Sequence, residues 1–458
     1  MHRFRTAALV FALAGMFMLG GFILPDRTAR TGPRLFQEVF TLVSNRYVDS
    51  LDTALLYEKA ARGLLAELED PYAVLYSPEE LERFTIQHEG KYAGVGMLVE
   101  ERDGAAMVRR VYPNTPAERA GLMPGDFILS LDGESVAGWP LDQVAGGLKG
   151  EPGTVVEVEI GRPGVDEAFQ VRLTRAVIHI PAVPFTMLVD GGVGYVPLLQ
   201  FNETSAEETA VAVAELLDRG ASGIVLDLRG NGGGIVDQAI DIAGIFLPRG
   251  TAVAEQRERG LERIYVTHTV PVAPDVPLVV LVDQETASAS EIVAGALQDH
   301  DRAVVIGQRT FGKGLVQSAY RLADGYILKM TTGKWYTPIG RSIHREREIV
   351  DGYLVETAEG DTAERPVFQS AAGRRIYGGG GIVPDLDVHP DTLDAAEQAL
   401  VRAFAPQSQV VYGTLFDYAV ELKSSVTPGF QVRPEWREEY YRRLVARGVD
   451  LDRAVFDA

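Results

Sequence analysis

Three short stretches carry the residue types that phosphoryl or acyl chemistry needs. "GQRTFGKG" (307–314) places Lys313 in a G-x-x-x-x-G-K spacing. A phosphate-binding loop of that spacing continues with Ser or Thr, whose hydroxyl holds Mg²⁺. Gly314 stands there instead, and the acid-ended apolar run "VVLVD" (279–283) precedes the loop rather than following it. The downstream "GLVQSAYRLADGYILKM" reads as strands, where such a loop opens a helix. Lys313 therefore reads better as an amine between Gly312 and Gly314, with Phe311 and Leu315 beyond. A lysine desolvated in such a setting loses its proton near neutrality and serves as a base. Gln317 follows four positions later, on the same face of a strand or helix, where its side chain can hold the amine.

The second stretch, "TASASEIVAGAL" (286–297), puts serines at the start of a helix that follows a buried apolar run. A serine there stands beside helix N–H groups that can stabilise an oxyanion. The plain alternative is an N-cap with tight helix packing. The third, "LRGNGGG" (228–234), ends another apolar run in glycines, which can turn backbone N–H groups toward a ligand or simply form a turn. Histidines at 2, 88, 179, 268, 300, 344 and 389 form no H-x-x-x-H pair, and there is no cysteine, so no metal site is expected.

The elements that must position these residues divide the 458-residue chain into several bodies. A net charge of −20 weighs against nucleic acid as a partner. Arg3 and Arg5 precede 18 apolar residues, Ala7–Leu24, which read as a signal-anchor helix, with a cleaved signal peptide as the alternative. Residues 33–88 read as helical: Leu35, Val39, Leu42 and Val43 recur at helical spacing, and Ser77, Pro78 and Glu80 form a capping-box start. From 89 to 175, short β-type runs alternate with Gly and Pro turns, with Asp132-Gly133 as a tight turn. From 180 to 345, strands such as "GIVLDLR" and "PLVVLVD" alternate with helices such as "SAEETAVAVAELLDRG", an α/β pattern. Residues 346–375 read as a polar insertion and the tail from 391 as helical.

Eight segments, in order, resemble the C-terminal processing (tail-specific) proteases, Ser-Lys serine endopeptidases with a PDZ domain. They are "EDPYAVLYSPEELERF", "YAGVGM", "PAERAGLMPGDFILSLDG", "LDLRGNGGG", "TASASEI", "TFGKGLVQ", "YTPIGRSI" and "GGGIVPDLDV", spanning residues 35–390 with their surroundings. The resemblance implies a multidomain α+β fold. An α/β ClpP/crotonase-like protease core (177–390, with the insertion at 346–375) carries an inserted β-rich PDZ domain (91–176). Helical segments lie at 33–90 and 391–458, after the N-terminal anchor or signal of residues 1–25.

For the site, the resemblance implies Ser288 as nucleophile, Lys313 as general base 25 residues on, and Gln317 as the residue that orients the lysine. It assigns the oxyanion to the N–H groups of Ala289 and Gly234, with Gly233 as the fallback, and a structural, helix-capping role to Ser290. In the PDZ domain, Gly94, Val95 and Gly96 match the carboxylate loop, and Met97 and Val99 would line the side-chain pocket. The expected partners are protein or peptide substrates with nonpolar C-termini, an adaptor protein, the membrane through the N-terminal helix, and a second copy of the chain. The expected location is the extracytoplasmic, periplasmic side of the cell envelope. No cofactor or metal is implied. Where the family often has Arg-Gly in the segment coupling PDZ domain and protease, this chain has Lys149-Gly150, which makes PDZ gating a weaker expectation. The alternative reading is a PDZ tail-binding scaffold with a silent protease domain.

Overall fold

The computed structural model describes residues 27–68, 70–78, 80–81, 91–102, 104–165, 167–350, 353–356, 365–389, 392–423, 425–427 and 430–457. The apolar run at 7–24 lies outside them. Among the described residues no helix is long and apolar enough to cross a membrane.

The chain divides into two compact units. The smaller takes the residues up to Tyr76 together with Ala319–Met330. Its helices are Arg27–Arg46 and Thr53–Ala66. Asp52 starts the second by accepting the Ala54 N–H at 2.8 Å. The expected helical run over 33–88 is interrupted: Val74–Tyr76 is a strand, paired antiparallel with Ile327–Lys329. Pro71 ends the helical pattern, and the apolar "AVLY" after it extends because it finds a distant strand partner. Arg62 of the second helix ties down this strand by donating to the Leu75 carbonyl at 2.9 Å.

The larger unit begins with a β-rich body. Its strands Met97–Arg102, Ala105–Val111, Phe127–Leu131, Val155–Gly161 and Phe169–Thr174 lie in that spatial order, all antiparallel. Alternate residues of Val155–Gly161 point inward, and Val156, Val158 and Ile160 are wholly buried. Asp132 and Gly133 have φ of 49° and 83°, the paired positive angles of a two-residue hairpin turn. The helix Leu141–Leu148 buries Val144 and Leu148 against this body. Both ends of the body leave through one ribbon, in which Lys91–Gly94 pairs antiparallel with Ala176–His179. An insertion needs neighbouring ends, and the ribbon supplies them.

The α/β core has six strands in the order Met187–Val189, Val193–Pro197, Gly223–Asp227, Leu278–Val282, Val304–Gly307 and Leu386–Asp387. All pairs after the first are parallel. The middle strands are continuous apolar runs because helices cover the sheet faces. The helix Ser205–Asp218 buries Thr209, Ala212, Val213 and Leu216, an i, i+3, i+4, i+7 stripe. The helix Ala289–Asp299 is buried all round, which its small residues permit. A Cβ at Gly295 would stand 2.9 Å from Thr337 Cγ2.

The polar segment from 346 to 375 contributes two small pairs, Arg347–Val350 with Tyr353–Glu356 and Val367–Gln369 with Arg375–Tyr377. The tail forms helices Ala395–Phe404, Ser408–Lys423, Pro434–Ala446 and Arg453–Asp457 around their own core of Val411, Leu444, Val449, Leu451 and Phe456.

One buried ion pair closes the C-terminal end of the helix Ala289–Asp299. Arg341, 1% exposed, donates to Asp299, 0% exposed, and also to Gln298 Oε1 and the Tyr377 carbonyl, both at 3.0 Å. Removing the cation alone leaves a buried carboxylate without its charge partner. Arg341→Ala is expected to cost about 3–5 kcal/mol of stability, read as a lowered midpoint in denaturant unfolding followed by circular dichroism.

Candidate active site

The strand Leu278–Val282 ends at Asp283, whose carboxylate folds the next turn. Its Oδ1 accepts the N–H of Thr286 at 2.9 Å, and its Oδ2 accepts that of Gly230 at 2.9 Å. Thr286 Oγ1 reaches the Leu228 carbonyl at 2.9 Å. This turn is thereby fastened to the glycine-rich loop that follows the neighbouring strand. Asn231, wholly buried, completes the joint. Its carbonyl accepts Ala287 N–H at 3.0 Å and Ser290 Oγ at 2.9 Å, its Nδ2 donates to the Leu198 carbonyl, and its Oδ1 accepts Gly233 N–H at 2.9 Å.

Ser288 sits at the summit of this turn with φ 57° and ψ −115°, a backbone conformation that a side chain disfavours. The helix Ala289–Asp299 starts immediately after it. Gly233 lies against it: a Cβ there would stand 2.7 Å from Ala287 O, 2.8 Å from Ala289 N and 2.9 Å from Ser288 Cβ. Gly234 has φ 149°, and a Cβ there would stand 2.2 Å from the Phe201 carbonyl. The two glycines are therefore a steric requirement. Gly233 spends its N–H on Asn231, whereas no protein acceptor pairs with the N–H of Gly234 or Ala289 among the described residues.

Glu291 holds the serine turn to the lysine segment. Its carboxylate is wholly buried. Oε2 accepts the N–H of Ser288 and the N–H of Lys313, each at 2.8 Å. Oε1 accepts Gly312 N–H at 2.7 Å and the Thr310 hydroxyl at 2.5 Å. Thr310 Oγ1 in turn accepts Ile382 N–H at 2.7 Å, so its proton points at Glu291. Burial pushes the Glu291 carboxyl upward, and the hydrogen bonds of Thr310, Ser288, Lys313 and Gly312 oppose that shift. The site thus brings the backbones of residues 288 and 313 to a single oxygen atom.

Lys313 is half-buried and follows Gly312 in a channel only glycines fit. A Cβ at Gly312 would stand 2.8 Å from Arg345 Cβ, and one at Gly314 would stand 2.7 Å from His344 N. Phe311 N–H donates to the Thr286 carbonyl at 2.9 Å, a second tie between the two segments. Arg347 covers Phe311, its guanidinium 3.7 Å from the ring centroid. Gln317 is half-buried in the strand Leu315–Arg321, where Lys313 leads in.

Ser290 does not cap the helix, as had been expected; Ser288 occupies the N-cap position. The buried hydroxyl of Ser290 faces the other way, onto the glycine loop at Asn231. Glu291 itself went unnoticed in the sequence, although Ser288 and Glu291 have the S-x-x-E spacing of a capping box. Asp227, Arg229 and Tyr195 were missed as well. Asp227 is 7% exposed and bonds the Tyr195 hydroxyl at 2.7 Å and Arg229 Nη2 at 2.6 Å. Burial pushes its carboxyl up, but Arg229 beside it and the Tyr195 hydroxyl hold it below its ordinary range. A D-x-R pair ending a buried strand was the available signal.

The second candidate region is a groove of about 260 Å³ between the strand Met97–Arg102 and the helix Leu141–Leu148. Met97 and Val99, the residues expected at a side-chain pocket, lie on its lining, together with Val95 of the expected carboxylate loop and with Tyr92, Leu148 and Ile180, which were not foreseen. Gly96 has φ 89°, and a Cβ there would stand 2.2 Å from Thr115 Cβ. Gly94 lies at the end of the groove where the helix stops, a Cβ there 3.6 Å from the Leu148 carbonyl. Ile180 is anchored to the core by Asn202 Nδ2 at 3.1 Å, beside the Phe201 that pins Gly234.

A serine at a strained strand-to-helix turn, a glycine loop packed on it and a lysine whose backbone N–H meets the same carboxylate are thus brought together in the α/β core, and the inserted β-body carries an apolar groove. Residues 192–351 match the model of peptidase family S41, 107–162 match that of PDZ domains, and 28–80 match the N-terminal domain of the activating protease CtpB. The carboxy-terminal processing protease CtpA of Bacillus subtilis is 32% identical over 344 residues, 74% of this chain and 73% of that protein. The carboxyl-terminal-processing protease of Synechocystis sp. is 37% identical over 399 residues, 81% of this chain and 92% of that protein. The chain belongs to the carboxy-terminal processing proteases of peptidase family S41.

Glu291→Gln replaces one carboxylate oxygen by a donor that faces other donors. It is expected to lose about 1–3 kcal/mol of stability and to cut peptide cleavage by about 10²-fold or more through misplacement of the two segments. Thermal unfolding and steady-state cleavage of an unfolded protein read the two effects separately.

Proposed function

We propose that Ser288 and Lys313 form the catalytic dyad of this tail-recognising serine peptidase. The observation that carries the reading is the shared oxygen: the N–H groups of both residues lie 2.8 Å from Glu291 Oε2. Ser288 Oγ attacks the scissile carbonyl carbon as its proton passes to the neutral amine of Lys313. Gln317 holds that amine. The developing oxyanion accepts the N–H groups of Ala289 and Gly234, at the positive end of an 11-residue helix. The choice of Gly234 over Gly233 is supported by the bond that already engages Gly233 with Asn231. On collapse the C–N bond breaks, and the Lys313 ammonium returns its proton to the departing amine. A water molecule then gives a proton to Lys313 as it attacks the acyl carbon, and the Lys313 ammonium passes that proton to Ser288 Oγ as the acyl–oxygen bond breaks, which frees the serine and leaves the amine neutral.

Substrate tails enter the groove as an added strand along Met97–Arg102, with the terminal carboxylate at Gly94, Val95 and Gly96. Val95, Met97 and Val99 favour nonpolar C-terminal side chains. Residues 7–24 tether the chain to the membrane, with the bulk of it on the periplasmic side; the arginines before an 18-residue apolar run support this. The tail helices and the exposed Leu35, Phe36 and Leu42 of the first helix offer surfaces for an adaptor or a second copy.

Ser288→Ala and Lys313→Ala are each expected to abolish cleavage of an unfolded protein substrate, and wild-type cleavage to survive chelators and the absence of ATP. Full activity in Lys313→Ala would remove the dyad. For the tether, membrane fractionation is expected to pellet the full chain with the membranes. Recovery of the whole protein in the soluble envelope fraction would replace the anchor by a cleaved signal.

A further inference from the structure

Tyr92 lies two residues before the carboxylate loop, on the ribbon strand Lys91–Gly94 opposite the buried Ile178. Its ring rests on Gly94: a Cβ there would stand 2.7 Å from Tyr92 Cε2. The same ring lines the groove with Val95, Met97 and Leu148. Its hydroxyl donates to the Met97 carbonyl at 3.5 Å. The backbone of Gly96 and Met97 lies near enough to the phenol to oppose the upward push that burial gives it. Burial, and secondarily the Tyr112 phenol, push the Tyr92 phenol up to about 12. Near neutral pH it is therefore a hydroxyl, able to accept and donate at once.

A bound tail makes two demands on this loop. Its carboxylate accepts from loop N–H groups, and the N–H of its terminal residue donates to a strand carbonyl. The Tyr92 hydroxyl already stands at the Met97 carbonyl, where a tail would place its terminal residue. We propose that Tyr92 is a resident occupant of the tail site, its hydroxyl on the Met97 carbonyl beside the carboxylate loop, until a C-terminal tail displaces it. The proposal rests on the tail-binding reading of the groove and adds its regulation. Tail binding becomes an exchange, in which a free C-terminus brings both an anionic acceptor and an adjacent N–H. An amidated terminus brings the weaker, neutral acceptor and competes less well. The exchange also moves a side chain of the ribbon through which the β-body joins the core.

The test uses the full chain with Ser288→Ala in detergent micelles, so that binding is read without cleavage. The probe is a fluorescein-labelled peptide ending in Ala-Val-Ala, as the free acid and as the C-terminal amide. Tyr92→Phe keeps the ring against Gly94 and deletes only the hydroxyl. It is expected to bind the free acid about fivefold tighter, the worth of one net hydrogen bond, with a smaller gain for the amide. In protein labelled with ¹³C at tyrosine Cζ, the resonance lost in Tyr92→Phe is expected to shift at saturation with the free acid. Equal or weaker binding by Tyr92→Phe, or a resonance that stays in place at saturation, overturns the proposal and leaves tail binding intact. Failure of both proteins to bind the free acid at about 1 mM overturns the tail-binding reading, and this proposal with it.

Discussion

The Glu291 carboxylate is the constraint on which the centre depends. A buried charge is costly unless its lone pairs are filled, and here four donors fill them. Those donors come from two segments that share no secondary-structure element. The penalty for leaving any of them unmet locks the serine turn to the lysine segment more firmly than apolar contact would, because hydrogen bonds to a charge are directional. The capping-box geometry at the helix start is thus extended across the fold to Gly312 and Lys313.

Strain and close approach follow from that lock. Ser288 adopts a disfavoured backbone conformation because both sides of it are fixed: Ala287 by Asn231 and residue 288 itself by Glu291. Gly233 can then lie on the serine, and Gly312 and Gly314 can pass between residues 343–345 and 380–381. In each case a methyl group would meet backbone or Cβ atoms, which cannot move aside. The parallel strands supply the rigid base, since Asp227 and Asp283 stand at the ends of adjacent strands and fix the two loops that carry the chemistry.

Much of the architecture was legible in the chain. The parallel strands declared themselves as apolar runs, the β-body by its alternation and its Asp-Gly turn, and the helices by their stripes and small residues. What was misread had a physical cause. Val74–Tyr76 extends because it has a partner strand more than 250 positions away, which no local pattern reveals. Ser290 seemed suited to capping, but its hydroxyl is spent on a carbonyl 59 residues earlier. Tyr92 was not singled out, because its hydroxyl acts on a loop whose shape emerges only after the chain turns at Gly94 and Gly96.

The sequence by itself determined which chemistry the chain can perform. It holds a serine before a helix of small residues, a lysine between glycines, a glycine run after a buried strand, and no cysteine. Residue type sets nucleophilicity and basicity, and glycine marks where backbone must approach backbone. Only the tertiary structure decided which of these groups meet. One oxygen of Glu291 joins residues 288 and 313, and Asn231 engages the N–H of Gly233 but not that of Gly234. Such convergence depends on strand order, turn geometry and the need to satisfy buried polar groups, which are properties of the folded packing and not of distance along the chain.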